Sequence, residues 1–310
     1  MLLSLVLKLE AQGEGHIPLT HGDLVHAAFL DLIKKNLPET EAFLSWQLHE
    51  LARYKPFTVS HIIGKRQMEN YQLIIEEGQN FEMRITSLDE TLSKCLQRIQ
   101  EKQINLLKIG GVFFDVQEII TENEKHRWAR QTSYQELTQK WSEETMDIPR
   151  KIAFRFVSPT GFRDGTQNIL FPLPHFVFYS LAEKWLKYAP APFTNAILVF
   201  QDEMKIWQEK AGVSADKTKV WELLDKLVNV SGYDLKTRML NFRDYKRIGI
   251  TGTLEFEALP SVPDKWLRIL NLLADFSFYG GVGAQTTMGM GQTARLSLSR
   301  KTDKEQGELK

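Results

Sequence analysis

The 310-residue chain carries 39 Lys and Arg against 39 Asp and Glu, a formal net charge of zero, which argues against indiscriminate polyanion binding but leaves room for a local basic groove. Hydrophobic residues at 43% and charged residues at 25% suit one large soluble core or two ordinary domains, and no apolar run approaches the length that crosses a bilayer. Met1–Leu9 is punctuated by Lys8 and lacks a signal-peptide layout, while the lone Cys95 excludes an intramolecular disulfide and a cysteine-based zinc site, so a reducing, cytoplasmic location is expected.

Residues 2–9, Leu-Leu-Ser-Leu-Val-Leu-Lys-Leu, read as a strand. A polar turn over Ala11–Pro18 leads to a helix from Asp23 to Lys35, with Leu24, Ala27, Ala28 and Leu32 spaced for one face. A second helical piece, Glu39–Leu51, is broken by Pro56, and Phe57–Ser60 is extended. Tyr71–Ile75 and Phe81–Ile85 are predicted strands joined as a hairpin through Gly78-Gln79-Asn80. A helix follows over Leu88–Ile104 and a strand over Leu107–Ile120, in which Val112, Phe114 and Val116 alternate.

The polar stretch 121–150 marks a domain boundary, giving an N-terminal domain of 1–125 and a C-terminal domain of 150–299. The second begins with a strand, Lys151–Val157, a turn-rich loop, Ser158–Asn168, and a helix, Leu173–Lys187, with Pro172 and Pro174 at its start. Residues 188–228 show no clear pattern beyond a helical Val220–Val228. Tyr233–Phe242 and Ile248–Phe256 are strands around a basic turn. A helix built on Trp266, Leu267, Leu270, Leu273 and Phe276 is opened by Ser261 with Asp264 as a capping signal. A glycine-rich run and a strand, Thr293–Leu298, complete the set before a charged tail, Arg300–Lys310, expected to be disordered. Each half reads strand, helix, two strands, helix, strand. The fold class is therefore α+β, two tandem ferredoxin-like (RRM-like, βαββαβ) domains.

Five glycines fall within residues 280–291, against 19 in the whole chain. A helix, a glycine-rich turn and then a strand is the wrong order for a P-loop or a dinucleotide fingerprint, and no Gly-Lys-Ser/Thr occurs. Two readings stay open: a tight helix-to-strand connection, or backbone amides that cradle a phosphate backbone. Seven histidines contain no HExxH or zinc spacing, so neither a metal nor another cofactor is expected. His49, followed within a turn by Arg53, Tyr54 and Lys55, offers a proton carrier beside cations, which metal-free phosphodiester transfer requires. His26 on the first helix could reach the same site, and His16 and His21 could meet a ligand from the first loop. Arg243, Lys246 and Arg247, with Tyr245 interleaved, form a basic hairpin tip suited to nucleic-acid backbone or simply to solvent.

Gly281-Val282-Gly283-Ala284-Gln285-Thr286-Thr287-Met288-Gly289-Met290-Gly291 resembles the C-terminal glycine-rich signature of the CRISPR-associated repeat-processing endoribonucleases, the Cas-six type of the RAMP superfamily. Leu48-His49 with Lys55–Ser60, Phe81–Leu88, and Phe156–Thr160 with Leu173-Pro174 resemble other segments of that family in the same order along the chain. The resemblance implies CRISPR repeat RNA as partner, bound across or near the cleft between two ferredoxin-like domains. It implies metal-independent cleavage by 2′-hydroxyl attack, leaving a 2′,3′-cyclic phosphate and a 5′-hydroxyl. His49 matches the family's general acid/base histidine and Lys55 a transition-state lysine. Some members place a tyrosine on the first helix; here Phe29 and Leu30 stand nearest, and His26 is the candidate for that role. Gly281, Gly283, Gln285, Thr286, Thr287, Gly289 and Gly291 would contact RNA, together with Arg243, Lys246 and Arg247. A non-catalytic RNA-binding scaffold subunit is the alternative, with other CRISPR effector subunits or a second copy of the chain as candidate partners.

Overall fold

The computed structural model describes residues 1–36, 48, 54–65, 67–101, 106–143, 147–210 and 220–297. Its first half contains β1 (Leu2–Ala11), α1 (Gly22–Asn36), β2 (Phe57–Val59), β3 (Asn80–Ser87), α2 (Glu90–Glu101), β4 (Leu106–Ile109) and β5 (Val112–Ile120). All pairings are antiparallel, in the order β2-β3-β1-β5-β4. Alternation along β1 sends Leu3, Leu5, Leu7 and Leu9 into a core shared with Phe29 and Ile33 of α1 and Leu92 and Leu96 of α2. The opposite face carries Ser4 and Val6, which look toward the other half of the molecule.

The connecting stretch holds β6 (Arg130–Thr132), which pairs with the start of β1, and α3 (Tyr134–Ser142), opened by a Ser133–Glu136 capping box. The second half comprises β7 (Lys151–Thr160), α4 (Pro174–Tyr188), α5 (Ala191–Lys210), β8 (Val228–Asn241), β9 (Lys246–Ala258), α6 (Asp264–Gly280) and β10 (Thr293–Leu296). Its sheet runs β8-β9-β7-β10, antiparallel throughout. In both halves the first and third strands of the βαββαβ unit lie side by side at the centre, the ferredoxin-like arrangement expected from the element order. The second core is aromatic: Phe154, Phe178, Trp185, Trp221, Phe256, Trp266 and Phe276 meet in it.

Several local expectations change. Residues 72–75 and 80–87 are not a hairpin. Gly78, at φ 76°, turns the chain so that Gln72–Ile75 pairs instead with Gly15–Pro18 and Gln67–Glu69. The tight turn there is at Asn70 and Tyr71, both at positive φ. Leu107–Ile120 is two strands, because Gly110 at φ 60° folds β4 back on β5. The stretch 121–150 is no bare linker. Residues 188–228 contain the twenty-residue α5, and the loop 158–168 contains the end of β7 and a small hairpin, Phe162–Asp164 with Gln167–Ile169. The residue before α6 is Pro263, with no side-chain cap, so Ser261 does not open that helix. The expected Glu39–Leu51 helix, apart from a helical Leu48, and the tail 300–310 lie outside the described residues. Among the described residues no helix is long and apolar enough to cross a membrane.

Candidate functional site

The glycine-rich loop leaves α6 at Gly281, whose φ of 60° and ψ of 169° stop the helix. Its glycines are dictated mainly by protein packing. A Cβ on Gly283 would lie 2.4 Å from the Gly161 carbonyl oxygen, and one on Gly291 2.3 Å from that of Val282. One on Gly289 would lie 2.7 Å from the His61 ring. The amides are engaged as well: Gly281 donates to Ser277 O, Gly289 to Val59 O and Gly291 to Pro159 O, while Gly283 donates to Ser180 Oγ. Gly281, Gly289 and Gly291 are buried, as are Thr286 and Thr287. The part that reaches the surface is Gly283, Ala284, Gln285 and Met288, each half-buried. Gln285 holds a left-handed φ of 56° without being glycine.

Three other elements converge on that surface. At the entry to α1, Gly22 lets the helix approach so closely that a Cβ would stand 2.1 Å from the Met288 carbonyl oxygen. One turn on, His26 Nδ1 lies 3.0 Å from Thr287 O. A carbonyl only accepts, so Nδ1 carries the proton and Nε2 is the basic nitrogen. The His26 ring also meets that of Phe57 at 5.6 Å, on β2. From the other side, the tip between β8 and β9 leans on the loop: Gln285 Nε2 donates to Tyr245 Oη at 2.6 Å. Phe242 stacks on Tyr245 at 4.8 Å, and the Arg247 guanidinium covers Tyr245 at 4.8 Å. Arg243 and Lys246 project from this tip into solvent. The Asn241 amide donates to Thr20 Oγ1 at 3.0 Å, fastening the tip to the approach to α1.

His26, the glycine loop and the basic tip are thus brought together. Lys55 enters two residues before β2, its Nζ donating to Leu48 O at 2.8 Å, while Tyr54 O accepts from Lys187 Nζ and Tyr188 Oη of α4. His49 lies outside the described residues. His21 cannot meet a ligand as the sequence suggested. It is 1% exposed, donates from Nδ1 to Pro18 O and accepts the Ile62 amide at Nε2, which makes it a neutral structural group. His16 is exposed on the Gly15–Pro18 strand. His61, which sequence reasoning did not single out, lies between His21 and Gly289. No motif marks it, because its neighbour arrives from 228 positions away.

Two pockets that share Trp128 and Val157 form a channel-like cleft between the two halves, beside the loop. Its upper part, about 430 Å3, is lined by His61, Gly289, Gln292, Arg84 and Arg238, with the carboxylate of Glu82 among them. Its lower part, about 800 Å3, carries Arg127, Arg130, Lys140, Lys151, Arg155 and Arg295 around a single lining carboxylate, Asp275. Lys140 and Arg295 pair with Asp275, and Lys151 with Glu255 and Glu257. Arg127, Arg130 and Arg155 add to them, so a chain of zero net charge gathers an excess of cations in one cleft, where they favour a polyanion. Among the described residues no group of three or more His, Cys, Asp or Glu side chains is placed to hold a metal ion.

Residues 1–139 match the CRISPR Cas6 N-terminal domain and residues 154–293 the CRISPR-associated endoribonuclease Cas6 family. No match was found among curated proteins. Among solved structures, a Cas6 product complex aligns with a TM-score of 0.72 at 24% identity, covering 96% of this chain and 100% of that one. A second Cas6 product complex aligns at 0.66 and 24% identity, covering 96% and 99%. Thermus thermophilus Cas6 aligns at 0.65 and 24% identity, covering 96% and 98%. At that identity these three likenesses establish the fold. With both halves of the chain matching in order, and the glycine loop at their junction, the protein belongs to the Cas6 family of CRISPR-associated endoribonucleases.

Proposed function

We propose that the protein cleaves CRISPR precursor RNA within the repeat without a metal ion. The ribose 2′-hydroxyl attacks the adjacent phosphorus and the bond to the 5′-oxygen breaks, leaving a 2′,3′-cyclic phosphate and a 5′-hydroxyl. The reaction needs a group to take the 2′-hydroxyl proton, one to return a proton to the leaving oxygen, and positive charge facing the phosphate. The observation that carries this reading is the His26–Thr287 hydrogen bond, which holds an imidazole at the glycine loop while the Arg243–Arg247 tip stands on its other side. His26 is a proton carrier on this reading; His49 is a second and Lys55 a charge-neutralising group. Gly283, Gln285 and the exposed basic side chains of the tip contact the RNA backbone, while Gly281, Thr286, Thr287, Gly289 and Gly291 give the loop its shape. The cationic channel takes the strand onward between the two halves.

The test is repeat RNA incubated with the protein in excess EDTA, with products identified by mass and by end chemistry. Cleavage to cyclic-phosphate and 5′-hydroxyl ends is expected, and a single 2′-deoxy substitution at the scissile nucleotide should stop it. Loss of cleavage in EDTA, or products ending in a 3′-hydroxyl, would overturn the mechanism. Tight binding of an RNA that stays intact under all conditions would instead favour a scaffold subunit.

A further inference from the structure

The closing carbonyls of α6, and that of its cap, each receive a side-chain donor. Arg84 of β3 donates from Nη2 to Phe278 O. Thr86 Oγ1, on the same strand, donates to Tyr279 O at 2.7 Å. Lys184 of α4 reaches both Gly280 O and Gly281 O, at 2.7 and 3.1 Å. Helix C-termini leave their final carbonyls without intrahelical partners, and cations there interact favourably with the helix dipole. What is unusual is that the donors come from both halves of the molecule and that both cations are buried. Arg84 is 5% exposed and Lys184 2%, and among the described residues neither pairs with a carboxylate.

Arg84 also grips the far end of the loop. Its Nη1 donates to Gln292 Oε1, and its Nε to Ser4 Oγ at 2.9 Å. Gln292 Nε2 in turn donates to Thr58 Oγ1 at 3.2 Å, on β2. The guanidinium rests against the rings of Trp128 and Phe278, at 4.8 and 4.4 Å, so its plane is held by packing as well as by hydrogen bonds. On the other side, the Lys184 stem lies over Gly280, 3.6 Å from where a Cβ would be. Both ends of the segment 281–292 are therefore fixed by a buried cation: Lys184 at its start, Arg84 at its end. Burying a basic group without a carboxylate partner is expensive for a fold, and a methionine or leucine would fill either volume at lower cost. The arrangement makes sense if the loop must be held in one place.

We propose that Arg84 and Lys184 are positioning residues, one from each ferredoxin-like half, that set where the glycine loop stands relative to His26. The proposal rests on the reading of that loop as an RNA contact. It follows that loop geometry depends on the docking of the two halves. The strand face carrying Ser4, Thr58, Arg84 and Thr86 is polar in order to bond the loop and the end of α6.

The test uses the full chain and the variants Lys184→Met, Arg84→Met, Arg84→Lys and Thr86→Val. The first readout is amide hydrogen exchange, comparing residues 281–291 with β1 as an internal reference. The second is single-turnover cleavage at saturating repeat RNA, set beside the affinity for an RNA blocked by 2′-deoxyribose. In Lys184→Met, faster exchange confined to 281–291 is expected, with the cleavage rate falling about 10- to 100-fold, as misplacement of a reacting group by about 1 Å would produce. Arg84→Lys, which keeps the charge but not the fork, should recover part of what Arg84→Met loses. Unchanged loop exchange in Lys184→Met, or exchange raised equally in β1 with an unaltered rate, would overturn the proposal. If Lys184→Met or Arg84→Met fails to fold, Thr86→Val and Arg84→Lys decide by the same criteria. If the wild type neither binds nor cuts repeat RNA, the functional reading has failed, and the exchange data still decide whether these residues hold the loop.

Discussion

His26 and Gly289 show how narrowly single residues define the proposed site. Removing a general acid or base typically costs about 10²–10⁴-fold in rate. His26→Ala and His49→Ala are each expected to lose cleavage to that extent while retaining affinity for deoxy-blocked RNA, measured by single-turnover kinetics and filter binding. Wild-type rates in His26→Ala would remove it from the reaction. Gly289 combines a φ of 82° with a neighbouring imidazole where its Cβ would go. Gly78 has a φ of 76° with nothing within 4 Å of a Cβ. Gly78→Ala should therefore cost only the left-handed penalty of about 1–2 kcal/mol. Gly289→Ala should cost more and disturb cleavage, as urea unfolding and activity assays would reveal. Lys184 adds a pH signature. Burial draws its pKa from 10.5 to about 7, so between those values the folded chain binds fewer protons than the unfolded chain. Stability conferred relative to Lys184→Met should then rise with pH across that window, by up to about 1.4 kcal/mol per pH unit, and level off below it. A flat difference between pH 7 and 9 would mean that Lys184 keeps an ordinary pKa.

At the scale of elements, the β8–β9 tip and α3 make separable contributions. Arg243 and Lys246 project from the tip while Tyr245 and Asn241 fasten it to Gln285 and Thr20. Arg243→Ala with Lys246→Ala should weaken RNA binding without unfolding the hairpin, and flatter salt dependence should accompany it. The slope of log K against log salt is expected to fall by about 0.7–0.9 for each phosphate that is no longer neutralised. Helix α3 is short and depends on its capping box, in which Ser133 Oγ accepts the Glu136 amide at 3.0 Å and Glu136 answers the Ser133 amide at 2.8 Å. Ser133→Ala should cost about 1 kcal/mol by thermal or chemical denaturation. Unlike α3 and α5, which the sequence reading missed, helices α1, α2, α4 and α6 and the central strands were legible in the sequence because each carries its own apolar period: Leu3, Leu5, Leu7 and Leu9 alternate, and Trp266, Leu270 and Leu273 repeat at helical spacing. Strand partners were not. Gln72–Ile75 has the same character whether it pairs with β3 or with Gly15–Pro18, and only the conformation at Gly78 separates the two.

Considered whole, the molecule is two similar sandwiches joined by more than a peptide link. The stretch 130–142 gives β6 to the first sheet and then sends Tyr134, Leu137 and Trp141 of α3 into the second core. Trp141 Nε1 donates to Asp275 at 2.9 Å, and Asp275 pairs with Arg295 of β10. Arg84 and Thr86 cross the same boundary. Unfolding is therefore expected to be a single transition, with amides of β1 and β7 losing protection together in urea. Two separated transitions would show the halves to be independent. A neutral chain also acquires a cationic channel only when Arg127 and Arg130 of one segment face Lys151, Arg155 and Arg295 of others. Total charge carries no information about that convergence.

Local physics alone determined the tandem βαββαβ plan, because strand and helix periods differ and each half repeats the same order of them. It also singled out the glycine-rich turn, since few other sequences permit so many left-handed residues within eleven positions. What the turn does was decided by the fold. Gly283 and Gly289 are small because Gly161 and His61 occupy the space beside them, and both neighbours come from distant positions. His21 and His26, five residues apart, look equivalent as sequence. One is locked as a buried neutral ring between Pro18 and Ile62, and the other is turned to the loop by a carbonyl 261 positions away. Side-chain identity sets what chemistry is available; long-range packing sets its direction, its solvent and its protonation.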